Sequence, residues 1–251
     1  MRKLRFLAVA VIACLGIAGV AYAQTNQYTI GGSMASGGTK SKPKAVGLKF
    51  NFATTATDPS TLPQPIQTYS IGFEGTKVNT NIIPTCSASK MTAAQSDSNC
   101  PAKSVIGSGV VKAKAGAAGG PIADAADCEL GLTLYNSGNN KAALWLEGGP
   151  GTAHNCIAGI HQAIDASFKK RGNGMALIFS VPDSLRHVAG LDVAVVSTTS
   201  TIKKIVGKDK KKKSHGYFES VGCSDKKRQL TVTFTDEAGS AVSVNKDLGK
   251  C

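Results

Sequence analysis

Residues 160–181 read IHQAIDASFKKRGNGMALIFSV, and this stretch decides the fold. In its first half Ile160, Ile164 and Phe168 fall on even positions; in its second half Met175, Leu177, Phe179 and Val181 fall on odd ones. A period of two turns one face of an extended chain toward a core and the other toward water. Between the halves, Arg171-Gly172-Asn173-Gly174 supplies turn chemistry. The stretch therefore predicts two half-buried strands joined by a basic turn.

The same alternation recurs outward in both directions. It is seen at Val46, Leu48, Phe50 and Phe52, at Leu130, Leu132 and Leu134, and at Leu144 and Leu146. Leu191, Val193 and Val195 repeat it, then Leu230, Val232 and Phe234. Asn136-Ser137-Gly138-Asn139-Asn140 and Glu237-Ala238-Gly239 mark further turns. Glycine is abundant, at 28 residues, and helix-favouring Leu, Glu and Arg are sparse. About ten to twelve short strands at this spacing predict an all-β domain, a β-sandwich or jelly roll, over residues 45–251. Met91 to Ser96 has the composition of a helical turn, and the Ala/Gly-rich run Ala113 to Ala126 that of a loop. Residues 24–44 are poor in apolar side chains and rich in Gly, Ser and Thr, which predicts a flexible leader.

The first 23 residues follow a different plan. Arg2, Lys3 and Arg5 precede an apolar run from Phe6 to Val20, and Ala21-Tyr22-Ala23 closes it with small residues where a signal peptidase reads. The run is shorter than the roughly 20 residues a membrane span needs. Residues 1–23 thus predict a removable signal peptide and a secreted or extracytoplasmic (cell envelope) address. Val11-Ile12-Ala13-Cys14 loosely matches a lipoprotein box, but the apolar run continues past Cys14, so Cys14 reads as an apolar residue of the signal. After signal removal no transmembrane segment is expected.

Six cysteines then remain: Cys86, Cys100, Cys128, Cys156, Cys223 and Cys251. An even number in an exported chain reads as disulfides. About 15 connectivities are open to six cysteines, of which the sequential one is the simplest. His154-x-Cys156-x4-His161 holds three ligand-type side chains, yet zinc sites use paired short spacings such as Cys-x2-Cys, and none occurs here. No metal and no cofactor is expected.

Charge is concentrated. Without the signal the chain carries +10, while four clusters alone carry +15. These are Lys40, Lys42 and Lys44; Lys169, Lys170 and Arg171; Lys203, Lys204, Lys208 and Lys210 to Lys213 with Asp209; and Lys226, Lys227 and Arg228. In a simple meander the turns at 169–174 and 207–216 fall at one end of the fold. The candidate polyanion-binding residues are therefore Lys169, Lys170, Arg171, Lys203, Lys204, Lys208, Lys210, Lys211, Lys212 and Lys213, which suit an anionic wall polymer, an acidic glycan or lipid head groups. A solvated loop that aids solubility is the plainer reading of the same lysines. No aromatic residue interleaves with them, so no specific nucleic acid is expected.

Enzyme motifs are absent: no Gly-x-Ser-x-Gly elbow, His-Glu-x-x-His, phosphate loop or dinucleotide fingerprint occurs. Gly148-Gly149-Pro150-Gly151 is broken by proline and reads as a turn. Asp124, Asp127 and Glu129 lack the spacing of a calcium loop. Glu74, Glu147, Asp165 and Glu219 are the carboxylates from which a fold could assemble a glycosidase pair.

Two patches resemble a known group. One is Ile83-Pro84-Thr85-Cys86-Ser87 with Asn99-Cys100-Pro101-Ala102-Lys103-Ser104-Val105-Ile106-Gly107-Ser108-Gly109. The other is Gly216-Tyr217-Phe218-Glu219-Ser220-Val221-Gly222-Cys223 with Leu230-Thr231-Val232-Thr233-Phe234 and the final Cys251. Together they resemble a loose group of exported, β-rich, disulfide-paired proteins of high-GC Gram-positive bacteria, in which a Pro-x-Cys … Cys-Pro-x-x-Ser-x-Ile-Gly-x-Gly element recurs. The resemblance implies the pairs Cys86–Cys100 and Cys223–Cys251, which leaves Cys128 and Cys156 for each other. It implies no activity. The expectation is an exported, non-enzymatic structural or binding protein of the cell envelope or extracellular space, touching polyanions through basic loops. The alternative in another class is a secreted glycan-acting hydrolase with a carboxylate pair.

Overall fold

A computed structural model describes residues 25–251. The expected signal peptide, with Cys14, lies outside the described residues. The described residues form seventeen strands: β1 Asn26–Met34, β2 Lys44–Val46, β3 Leu48–Ala56, β4 Ile66–Phe73, β5 Thr76–Val78, β6 Val105–Gly116, β7 Ala126–Gly138, β8 Lys141–Gly148, β9 Ile160–Arg171, β10 Gly174–Ser180, β11 His187–Val188, β12 Leu191–Ile202, β13 Val206–Lys208, β14 Ser214–Gly216, β15 Phe218–Ser220, β16 Lys227–Asp236 and β17 Ala241–Lys250. Two short helices interrupt them, α1 Ala88–Ala94 and α2 Asp183–Arg186.

One antiparallel sheet dominates, in the order β1-β3-β12-β6-β7-β8-β9-β10-β4-β16-β17, with β11 added beside β12. It curls until its two ends meet, as a near-closed barrel. At the seam the Tyr28 ring of β1 stacks on Phe234 of β16 at 4.0 Å, and the Gly37 amide donates to the Cys251 carbonyl at 2.8 Å. The all-β fold with three disulfides matches the sequence reading. The two core-facing faces that the alternation implied are opposite walls of one continuous sheet.

The alternating residues fill the interior. Phe50 and Phe52 of β3, Leu130, Leu132 and Leu134 of β7, Ile164 and Phe168 of β9, and Leu230, Val232 and Phe234 of β16 share one buried core. A satellite cluster lies outside the wall, where Met91 of α1 and Cys86 cover Tyr135, Ala143, Trp145 and Ala163 of β7, β8 and β9. The predicted helical turn is thus α1, started by the Ser87 side chain, which accepts from the Lys90 amide. The disulfides are Cys86–Cys100, Cys128–Cys156 and Cys223–Cys251.

Two expectations change. The leader is not flexible over its first half: Asn26–Met34 is β1, paired in full register with β3 from Asn26↔Ala56 to Met34↔Leu48. Tyr28, Ile30 and Met34 supply its inward face, and Gly32 breaks the alternation that composition alone obscured. A Cβ at Gly32 would meet the Lys49 carbonyl oxygen at 2.7 Å, so glycine lets the strands approach. The predicted loop Ala113 to Ala126 also shrinks, since β6 runs on to Gly116 and β7 begins at Ala126.

Because neighbouring strands are antiparallel throughout, each chain end and turn can be assigned to one rim. At one rim lie the end of β1 (Met34↔Leu48), the end of β12 (Ile202↔Leu48), the β7–β8 turn (Gly138↔Lys141), the β9–β10 turn (Gly174↔Arg171) and the start of β16 (Leu230↔Phe73). A small sheet, β2-β15-β5, plugs this rim. It places Val46, Val78, Tyr217 and Phe218 in the core, with Phe168 edge-on to Phe218 at 5.5 Å. At the other rim lie the β3–β4, β6–β7, β8–β9 and β16–β17 connections and the segment from β10 to β12.

In a simple meander residues 182–190 would be a plain turn between neighbouring strands. In the sheet, however, β6, β7, β8 and β9 separate β10 from β12 on one side, and five strands separate them on the other. Residues 181–190 therefore cross the open rim as a strap carrying α2 and β11.

Candidate functional site

Every basic cluster named from the sequence ends up on the plugged rim. Lys169, Lys170 and Arg171 close β9 and are exposed. Arg171 folds back on the outer wall, its Nη1 donating to Ser70 Oγ at 3.2 Å and Thr233 Oγ1 at 3.4 Å. Beside it lies a shallow polar depression of about 280 Å3, lined by Glu74, Arg171, Asn173 and Gln229 among others. Lys203 and Lys204 are exposed where the chain leaves β12.

The richest cluster is the β13–β14 hairpin. Asp209 organises its turn: Oδ1 accepts from the Lys211 and Lys213 amides at 2.9 and 2.8 Å, and Oδ2 contacts His215 Nε2 at 3.2 Å. These amide bonds, that of Lys213 foremost, hold the Asp209 carboxyl below its ordinary value. Lys212 sits in the left-handed region at φ 62°. His215 in turn faces Glu219 Oε1 at 3.5 Å. Glu219 is 3% exposed and accepts from the Gly216 amide at 2.9 Å. The single acid of the lysine run is thus spent on shaping the turn, and Lys208 and Lys210 to Lys213 are left exposed. Among the described residues the lysines in ion pairs are Lys77, Lys112 and Lys114, none of them in these clusters.

One expected member of the basic surface is not on it. Arg228 is 1% exposed. It donates to Ser220 Oγ at 2.7 Å and to the Ala35 carbonyl at 3.1 Å, and it lies 3.4 Å from Cys251 Sγ. It ties β15, the end of β1 and the C-terminal disulfide together. Sequence could not separate it from Lys226 and Lys227, which are exposed.

The opposite rim is different in kind. Beneath the strap the barrel interior is not filled, and a cavity of about 100 Å3 remains. Its lining runs from Ile71 and Leu134 in the body to Ile157, Leu185 and Val188 at the rim. None of the plug residues lines it, so it opens toward the strap. Tyr69 lines it too, is 2% exposed, and has a hydroxyl with no hydrogen-bond partner among the described residues. Burial pushes that phenol well above its ordinary range, so it stays a neutral O–H donor.

The strap is fastened by charge. Arg186, 7% exposed, donates from Nε to the Val181 carbonyl at 3.1 Å and from Nη2 to Asp183 Oδ1 at 3.2 Å. Its Nη1 pairs with Glu237 of the β16–β17 turn. His187 Nε2 meets the same Glu237 at 2.7 Å, and its Nδ1 meets Asp192 Oδ1 at 3.0 Å. Asp183, His187 and Glu237 bring ligand-type atoms within 4.8 Å of one another. The Arg186 guanidinium already occupies both carboxylates, so the group reads as a latch.

The ligand-type candidates His154, Cys156 and His161 separate. Cys156 is in a disulfide with Cys128. His154 turns to Glu129 Oε1 at 3.1 Å, and His161 lies against Trp145 with ring centroids 6.2 Å apart. On β8 and β9, Glu147 stands opposite His161 and Asp165 opposite Ala143. That is a four-residue offset of about 13 Å, beyond a glycosidase pair. Glu219 is buried at the plugged rim, and Glu74 follows β4 at the same end.

What sequence reasoning missed is the cavity, Tyr69 and Arg186. Tyr69, Ile71 and Phe73 alternate with Ser70 and Gly72 in β4, a period-two signal that could have found this strand and placed Tyr69 on its inward face. Comparison with family models, curated proteins and solved structures finds no match to this chain.

Proposed function

We propose that this chain is an exported, non-enzymatic binding protein that sets its basic rim against an anionic polymer of the cell envelope or extracellular space. The observation that carries the reading is convergence. Clusters far apart in sequence reach one rim, their lysines exposed and outside any ion pair among the described residues. Summed charge of one sign attracts polyanions over distances set by salt. Lysines act as point charges without the bidentate geometry of arginine, which suits a flexible polymer with repeated phosphates or carboxylates, such as a wall polymer or acidic glycan. Tyr217 and Phe218, the aromatics nearest the hairpin in sequence, are buried in the plug and offer no base-stacking surface. Three disulfides fit an oxidising compartment, and among the described residues no helix is long and apolar enough to cross a membrane.

The test is retention on a sulfated-glycan resin at about 50 and 200 mM salt, where multi-contact polyanion binding falls steeply. Vesicles of anionic lipid and duplex DNA serve as parallel arms. A variant with glutamine at Lys210, Lys211, Lys212 and Lys213 is compared with wild type. The expected result is strong retention at low salt, loss at high salt, and clear weakening in the variant. Equal retention of both proteins at both salts contradicts the proposal, and preference for DNA or vesicles would replace the glycan-type polymer.

A further inference from the structure

The cavity under the strap lies at the rim opposite the lysine clusters and has no part in the basic surface. Its wall is almost wholly apolar. Phe52, Leu132, Ile164, Leu177 and Val195 contribute from strands around the barrel, and Leu185 and Val188 roof it from the strap. An empty apolar cavity is costly, because close packing is the rule in protein interiors and each void forfeits dispersion contacts. Cavities of this size and lining in other proteins stay dry and take up small hydrocarbons.

Tyr69 makes this cavity more than a packing fault. Its ring is held between Phe179 and Phe52, stacked at 5.3 and 5.4 Å. Phe234 stands edge-on to it at 5.8 Å. The ring is fixed on three sides, and its hydroxyl is a buried donor without a protein acceptor among the described residues. Buried polar groups in native proteins are nearly always satisfied, so such a donor calls for an acceptor from outside the chain.

We infer that the cavity is a binding site for a small, slim, predominantly apolar molecule with one neutral oxygen acceptor, such as a ketone or ester, whose oxygen takes the Tyr69 hydroxyl hydrogen bond. The apolar wall excludes a charged ligand, since among the described residues Arg186 is the one charged group that lines it, and Arg186 is committed to Asp183 and Glu237. Size limits the part that enters to a small ring or a short aliphatic chain. Entry is from the strap side, where Ile157 is 54% exposed at the rim.

The experiment titrates the protein with 2-hexanone and with n-heptane, followed by methyl-region NMR shifts. Both probes are expected to bind saturably, the ketone more tightly. Tyr69→Phe, which keeps the ring, is expected to weaken the ketone about three- to tenfold, the range for one neutral hydrogen bond, and to leave heptane within about twofold. Ala113→Val, which fills part of the cavity from its wall, is expected to weaken both probes. Circular dichroism checks that each variant is folded. Failure of wild type to bind either probe overturns the site. Ketone binding unchanged in Tyr69→Phe overturns the role of the hydroxyl, and means that Tyr69 is satisfied by solvent.

Discussion

The two rims of this barrel are made from the same strands and handle their polar groups in opposite ways. At the plugged rim the core is completed by Val46, Val78, Tyr217 and Phe218, and the exposed lysines of the basic clusters are in no ion pair among the described residues. At the strapped rim the interior is left incomplete, and the charged groups Arg186, His187, Asp183, Asp192 and Glu237 are paired with one another. Unpaired charge is tolerated only where water can reach it. The lysine hairpin projects into solvent, whereas Arg186 lies over an apolar cavity and must be neutralised. One rim therefore presents a field, and the other encloses a space.

Changes at the two rims should separate this contrast by size. Phe218→Ala removes a large side chain from the plug and is expected to cost about 3–5 kcal/mol in chemical denaturation. Ile157→Ala at the strapped rim, more than half exposed, should change stability by less than about 0.5 kcal/mol. Comparable effects would mean that the plug is not the completed end of the core. Next in size is the bridge that pins the C-terminus at the plugged rim. Replacing Cys223 and Cys251 with serine reopens a chain segment of 28 residues, with an expected loss of about 3.5 kcal/mol by chain entropy.

Arg228 sharpens the distinction between structural and presented charge. Arg228→Met removes buried hydrogen bonds to Ser220 and Ala35 and should cost about 1–3 kcal/mol. Lys227→Met, exposed next door, should cost less than about 0.5 kcal/mol. Equal costs in a denaturant titration would place Arg228 on the surface.

The smallest effect is local and depends on pH. The folded-state Asp209 carboxyl titrates below its ordinary value of 3.8, mainly because it accepts from the Lys213 amide. A depressed carboxyl contributes stability that is present above the unfolded value and lost as pH falls through the lower folded value. Amide exchange at Lys211 and Lys213 is therefore expected to stay slow above about pH 3.8 and to lose its Asp209-dependent protection only below it. Asp209→Asn should abolish that pH step. A step persisting in the variant would assign the turn to another group.

Much of the barrel was legible because half-buried strands announce themselves by alternation. Ile164 and Phe168, Met175 and Leu177, and Leu230 to Phe234 all read correctly for this reason. β1 was hidden because Gly31 and Gly32 trade side chains for close strand approach. β4 carries the same alternation at Tyr69, Ile71 and Phe73, though over three positions only. The convergence of basic turns followed from up-and-down connectivity. The cavity did not, because a void depends on how many strands wrap around the same side chains, and only the strand order makes residues 181–190 a strap.

The most direct test of the two-rim account is hydrogen exchange of the protein with and without a sulfated glycan. Exchange is expected to slow in residues 203–216 and 169–174 and to stay unchanged in residues 181–190 and 236–241. Protection of the strap, or no change at the lysine hairpin, would contradict it.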